Sequence, residues 1–205
     1  MNRMALALAL AAGLLLVGSG VHGQGKFNRK IKIGDDAPVF TGLPGVDGKS
    51  HSLSDYADKD VVVVVVTCNH CPVAVAYEDR IIHFAKKYAT GKDCKVALVA
   101  VNVNNIEADK LPKMIERAKE KGFNFTYLYD ESQKIGRALG ATVTPEFYVF
   151  NKERKLVYTG SMDDSQNTSK VKTNYLEPAV DAALKGQTPT VAETRAFGCG
   201  VQYQR

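Results

Sequence analysis

No run of Lys or Arg in this 205-residue chain exceeds two residues. There is thus no basic stripe of the kind that tracks a phosphate backbone, and nucleic acid is not an expected partner. No apolar run reaches the roughly 20 residues that a bilayer span requires. The one candidate, Ala5 to Val17, is cut short by Gly18 and Gly20, and no cysteine stands near its end to accept a lipid anchor. Cysteine is scarce: of Cys68, Cys71, Cys94 and Cys199, only the first two are close together. A closed structural zinc site wants a second close pair, so no metal is expected. No internal repeat is visible, and one domain is the default.

What is present points to an ordinary globular chain, with 45% hydrophobic and 24% charged residues. Residues 1–24 stand apart. Arg3 is their only charge, the apolar run follows, and small residues close it at Gly18-Ser19-Gly20 and Val21-His22-Gly23. This is the pattern of a secretory signal, with residues 1–23 removed by cleavage after Gly23. Removal takes away one of the 27 basic residues and none of the 22 acidic ones, leaving +4 and no membrane span. The expected location is periplasmic or extracellular, where disulfides persist.

Val61 to Val66 is an unbroken run of valine with no polar alternation, as a strand buried on both faces of a sheet requires. Before it, Val39–Leu43 and Ser50–Leu53 flank a turn at Gly45-Val46-Asp47-Gly48 and predict a hairpin, with a helical turn at Ser54–Ala57. After it, Pro72 suits a first helical turn, and Val73, Tyr77, Ile81, Phe84 and Tyr88 recur at helical spacing. The alternation continues with a strand over Lys95–Val101, a helix over Leu111–Lys121 closed by Gly122, and a strand over Phe125–Tyr129. A short helix over Ser132–Leu139 follows, then strands over Phe147–Phe150 and Leu156–Thr159, and a last helix ending at Lys185-Gly186. The expectation is an α/β sandwich with a mixed central sheet flanked by helices, an N-terminal hairpin and a C-terminal extension over residues 187–205. Asp163-Asp164, in a polar loop, are expected to be solvated.

A buried strand running into Cys68-Asn69-His70-Cys71 and then a helix puts the first cysteine at a helix N-terminus, where unpaired N–H groups favour an anion. Cys68 is the expected nucleophile, with a pKa below that of a free thiol, and Cys71 the resolving thiol. His70 would favour the thiolate further; its alternative is a polar residue that merely fits the turn. An inert structural disulfide and half of a zinc site are the other readings of the pair. Thr144-Pro145 lies just before Phe147-Tyr148-Val149-Phe150, and proline at a strand's start, if cis, would be a deliberate feature.

These segments together, with Tyr129-Asp130 and Ala141 to Pro145, resemble the thioredoxin superfamily, specifically its exported redoxin or peroxiredoxin-like (AhpC/TSA-type) branch. The resemblance spans about Ile33 to Lys185 and implies a three-layer thioredoxin-like domain over residues 33–186. It also implies that Pro145 is cis and packs on Cys68 and Cys71, and that the Thr144 backbone meets an extended substrate segment. The similar proteins tend to carry a late Gly-Cys, here Gly198-Cys199. Two departures stand out. Thioredoxin is similar in having a buried acid six residues before its first cysteine, where this chain has Val62. The Pro-x-x-x-Thr-x-x-Cys pattern of peroxiredoxins is replaced by Val61 and Val65 at its first two positions.

The expected activity is thiol–disulfide exchange on protein or small-molecule disulfides, with an external electron donor or acceptor and no bound cofactor. The alternatives are a thiol-dependent peroxidase with an antioxidant role and a non-catalytic binding module. Cys199 either reaches the active site as a third redox cysteine or staples the tail through Cys94.

Overall fold

The computed structural model describes residues 25–204, so the signal-like segment 1–23 lies outside the described residues. Among them, no helix is long and apolar enough to cross a membrane. In chain order the elements are β1 (Leu43–Pro44), β2 (Ser50–His51), β3 (Val61–Thr67), α1 (Pro72–Tyr88), β4 (Val96–Asn102), α2 (Leu111–Lys121) and β5 (Thr126–Tyr129). They continue with α3 (Lys134–Leu139), β6 (Val143–Thr144), β7 (Glu146–Phe150), β8 (Leu156–Gly160), α4 (Leu176–Leu184) and β9 (Cys199–Gly200).

The main sheet has the order β5-β4-β3-β7-β8, with β3, β4 and β5 parallel and β7 and β8 antiparallel to their neighbours. The valine run is its central strand, and its side chains divide between two cores. Val61, Val63 and Val65 pack with Tyr77, Ile81 and Phe84 of α1, Met114 of α2 and Val180 of α4. Val62, Val64 and Val66 pack with Ile135 and Leu139 of α3 and with Phe40, Tyr56 and Leu156. With period-2 side chains, only a strand covered on both faces can hide six consecutive valines. The result is three layers around a mixed sheet, the thioredoxin-like arrangement.

The N-terminal hairpin is shorter than its sequence suggests. Only Leu43–Pro44 and Ser50–His51 pair. Gly42 turns left-handed at φ +67° and Pro44 has no N–H to offer, so the ladder breaks there. Beyond it a single backbone bond, Leu53 N to Phe40 O at 3.0 Å, joins the two arms, and Val39 is exposed. On the other side Ser52 leaves the strand to cap a short turn over Leu53–Tyr56, its N–H reaching Asp55 at 2.8 Å. Helix α3 starts at Lys134 rather than Ser132, because Gln133 takes a left-handed conformation that no helix accommodates. Asp163 is also not solvated. It is buried, accepts from Tyr77 Oη at 2.7 Å and pairs with Arg80 at 2.5 Å, which ties the polar loop to α1.

Candidate active site

The site forms beyond the carboxyl ends of β3 and β4, where an open α/β sheet leaves a crevice. Strand β3 delivers Cys68 one residue past its end, and α1 begins four residues later at Pro72. The helix cap is Cys71, whose Sγ accepts from Ala74 N at 3.5 Å. Cys68 therefore sits upstream of the helix terminus instead of at it, because Pro72 takes the first helical position and leaves the cap to its neighbour.

This changes the electrostatics of Cys68. The residue is only 3% exposed, and burial pushes its thiol above the ordinary value. The Thr144 hydroxyl, 3.3 Å from Cys68 Sγ, opposes that shift, the negative charge of Asp109 adds to it, and backbone N–H groups of Cys71 and His70 oppose it again. The expected depression of the Cys68 pKa is thus corrected: the helix terminus serves Cys71, and burial dominates at Cys68.

The Thr144–Pro145 peptide is cis. Thr144 Oγ1 contacts Cys68, and its carbonyl oxygen lies 3.4 Å from Cys71 Sγ. Cys71 is disulfide-bonded to Cys199, 128 residues away, while Cys68 and Cys94 are free thiols. Cys68, Cys71 and Ala74 form a small buried cluster against which Cys199 packs. Of the two places left open for Cys199, the structure has it at the site. Cys94 lies before β4, at the opposite end of the parallel β3–β4 pair from Cys68. A seven-residue strand separates the two ends by roughly 20 Å.

Asp109 is the site residue that spacing alone does not reveal. It is fully buried in a short helical turn after β4, and its Oδ1 accepts from the backbone N–H groups of Asn69 (2.7 Å) and His70 (3.2 Å). Its Oδ2 accepts from His70 Nδ1. A carboxylate that already takes two backbone N–H bonds leaves Nδ1 as the donor in that contact. Asn69 adds a second tie, donating to Ala108 O at 2.9 Å and accepting from Tyr127 Oη at 2.9 Å. The residues between the two cysteines are therefore held from β5 and from the short turn after β4.

Cys68, His70 and Asp109 each offer a ligand atom within 4.8 Å of the others. Thiol, imidazole and carboxylate are donors that zinc accepts, but an ion there would have to replace the His70–Asp109 hydrogen bond. His83 is exposed on α1, and His51 pairs with Asp47 at 3.0 Å, so neither joins the site.

A free thiol beside a disulfide, both against a cis-proline loop on this fold, defines a thioredoxin-like redox protein. The family description Redoxin matches residues 32–175, and the chain belongs to that family. A hypothetical protein of Sinorhizobium meliloti 1021 is similar in structure, with 31% identity and a TM-score of 0.78 over 86% of this chain and 97% of its own. An uncharacterized conserved protein of Geobacillus kaustophilus is similar to the same degree, at 31% identity and TM-score 0.78 over 86% and 95% of the two chains. A Mycobacterium tuberculosis H37Rv protein named "Putative peroxiredoxin Rv2521" is 28% identical over 123 residues, 58% of this chain and 70% of its own. The same fold recurs in thioredoxin-family structures from Neisseria meningitidis and Chlorobium tepidum.

Proposed function

We propose that this protein is an exported thiol–disulfide oxidoreductase whose nucleophile is Cys68. The observation that carries the reading is the gathering of three sulfurs at the cis-proline loop, with Thr144 in contact with two of them. In the fully reduced protein, the Cys68 thiolate attacks one sulfur of a client disulfide and expels the other as a thiolate. Cys71 then attacks Cys68 in that mixed disulfide, forming a Cys68–Cys71 bond and releasing the reduced client. Two electrons pass to the client, and an external thiol donor restores the dithiol. Run in reverse, the same steps oxidise a client dithiol.

Asp109 and His70 supply the polar pair beside Cys68 that the valine run cannot, since every residue from Val61 to Val66 is apolar. In this reading the imidazole, with a ring nitrogen within 4.8 Å of Cys68 Sγ, exchanges a proton with it, and Asp109 is its positioning residue. Thr144 and Pro145 seat the client. Export rests on the apolar N-terminal sequence.

Trapping tests the assignment. Cys71→Ser should strand reductant-sensitive adducts on Cys68, whereas Cys68→Ser should strand few, because Cys71 is bonded to Cys199 while Cys68 is a free thiol. Equal trapping by both variants would overturn the order, and insulin-disulfide turnover by neither wild type nor Cys199→Ser would overturn the activity.

A thiol peroxidase is the second reading, favoured by the 28%-identical relative named as a peroxiredoxin and by the single free thiol beside a disulfide. Peroxide would then place a sulfenic acid on Cys68. Against it stand Val61 and Val65, which occupy the Pro and Thr positions of the peroxiredoxin pattern around the reacting cysteine.

A further inference from the structure

The tail beyond α4 follows a fixed course. Thr194 N donates to Thr159 O and Thr159 N to Ala192 O, each at 3.0 Å, and the Thr194 hydroxyl meets Tyr158 Oη at 2.7 Å. Downstream, Gln202 N donates to Asn104 Oδ1 at 3.0 Å, and Tyr203 Oη donates to Ala141 O at 2.9 Å. Between these two anchors, β9 pairs antiparallel with β6, with Cys199 opposite Thr144 and Gly200 opposite Val143, and Val201 N donates to Thr142 O at 2.9 Å. The strand edge that leads into the cis-proline is thus already taken, by an extended cysteine-bearing segment of the same chain.

The contact is close enough to specify the residue before the cysteine. A Cβ on Gly198 would lie 2.0 Å from Thr144 O and 2.7 Å from Thr144 C, so any side chain there would lift the segment off the edge. The segment also bonds to Cys71 and not to Cys68. In this state the resolving thiol is engaged and Cys68 lies covered beside it.

We infer that the Gly198–Val201 segment is an internal substrate that occupies the client edge, and that Cys68 releases it by attacking Cys71. The step is a disulfide isomerisation. The Cys68 thiolate bonds to Cys71 Sγ, the Cys71–Cys199 bond breaks, and Cys199 leaves as a thiolate that takes up the proton Cys68 gave to solvent. No net electrons move and no further reactant enters. The freed edge then accepts a client of the same chemistry, an extended segment with a cysteine preceded by glycine. This rests on the exchange activity proposed above and adds that the cleft is closed by its own tail until Cys68 acts.

The test uses the full mature chain with Cys94→Ser, so that three thiols remain. After air oxidation, samples held between pH 6 and pH 10 are quenched in acid, and their disulfides are mapped on non-reduced peptides. Both Cys71–Cys199 and Cys68–Cys71 species should appear, the second gaining share as pH rises, because ionisation is harder for buried Cys68 than for a thiol released from the site. Gly198→Val, with its fold checked by circular dichroism, should shift the balance toward Cys68–Cys71. In the fraction that keeps the Cys71–Cys199 bond, it should speed alkylation of Cys68, because lifting the segment off the edge relieves the burial that holds the thiol up. A single Cys71–Cys199 species at every pH, or no effect of Gly198→Val on either readout, overturns the inference. If Cys199→Ser still turns over insulin disulfides in that event, the exchange activity stands and only the internal-substrate role falls.

Discussion

Thr144 touches two sulfurs through two different atoms, a hydroxyl toward Cys68 and a carbonyl toward Cys71, while its own backbone pairs with Cys199. One residue thereby sets the surroundings of the whole cysteine cluster. For Cys68 the balance is dominated by burial, so its alkylation in the tail-docked form should have a midpoint above the ordinary thiol value of about 8.5. Thr144→Val, which removes the hydrogen bond that favours the thiolate, should raise that midpoint. Asp109→Asn, which removes a nearby negative charge, should lower it. Iodoacetamide rates against pH check all three, and a wild-type midpoint below that of a free thiol would refute the account. That Cys68, Cys71, His70, Thr144 and Pro145 gather at one end of the sheet is legible in the sequence, because a valine strand running into Cys-x-x-Cys and a proline before a later strand are local patterns. Asp109 was not legible: it reaches His70 across 39 residues from a turn with no motif, and only the fold brings them together. Its effect on Cys68 also ran against the expectation from helix placement, since a shift of the cap by three residues cannot be read from spacing.

At the scale of elements, α1 and α2 are joined by a bidentate ion pair. Arg117 Nε and Nη2 donate to the two Glu78 oxygens at 2.9 and 2.7 Å, and the Glu78 carboxylate is largely buried. Removing the guanidinium leaves the buried Glu78 carboxylate with only Lys121 Nζ, 4.0 Å away, so Arg117→Met should cost about 2 kcal/mol in urea unfolding. Replacing both, Glu78→Gln with Arg117→Met, should recover most of that loss. Equal destabilisation by the single and double variants would show that the arginine matters through packing alone. The elements themselves were mostly legible. The valine run, the Leu111–Lys121 helix with its Gly122 end and the Leu156 strand appear within a residue or two of expectation, because long periodic segments and glycine caps act locally. The hairpin was overdrawn because its alternating residues outlast the backbone's ability to pair beside Gly42 and Pro44. Asp163 was misjudged because burial of an acid depends on Arg80 and Tyr77 in a distant helix.

The whole molecule couples its stability to pH and to redox state. Burial pushes the Glu146 carboxyl up, opposed by the Thr142 N–H that it accepts. A folded pKa above the unfolded value of about 4.3 means that this contribution is fully present below the unfolded pKa and is lost as pH rises through the folded one. Glu146→Gln should therefore gain stability relative to wild type as pH is raised from about 4 to 7, read as diverging urea midpoints; a constant difference would exclude the linkage. Redox state acts through the disulfide. The Cys71–Cys199 bond closes a loop across 128 residues, which on chain entropy alone limits the unfolded state by at most about 5 kcal/mol. A Cys68–Cys71 bond closes a loop of only four residues and constrains the unfolded chain much less. Wild type in its Cys71–Cys199 form should therefore melt roughly 10 °C above Cys199→Ser, since a chain of this size moves about 2–4 °C per kcal/mol. Reductant should bring wild type down onto the variant, and Cys94→Ser, which removes a half-buried free thiol, should shift the melting temperature little. The Cys199→Ser tail keeps its hydrogen bonds to Thr159, Asn104 and Ala141, so coincident melting of oxidised wild type and variant would mean that those contacts, and not the disulfide, hold the segment on the Thr144 edge.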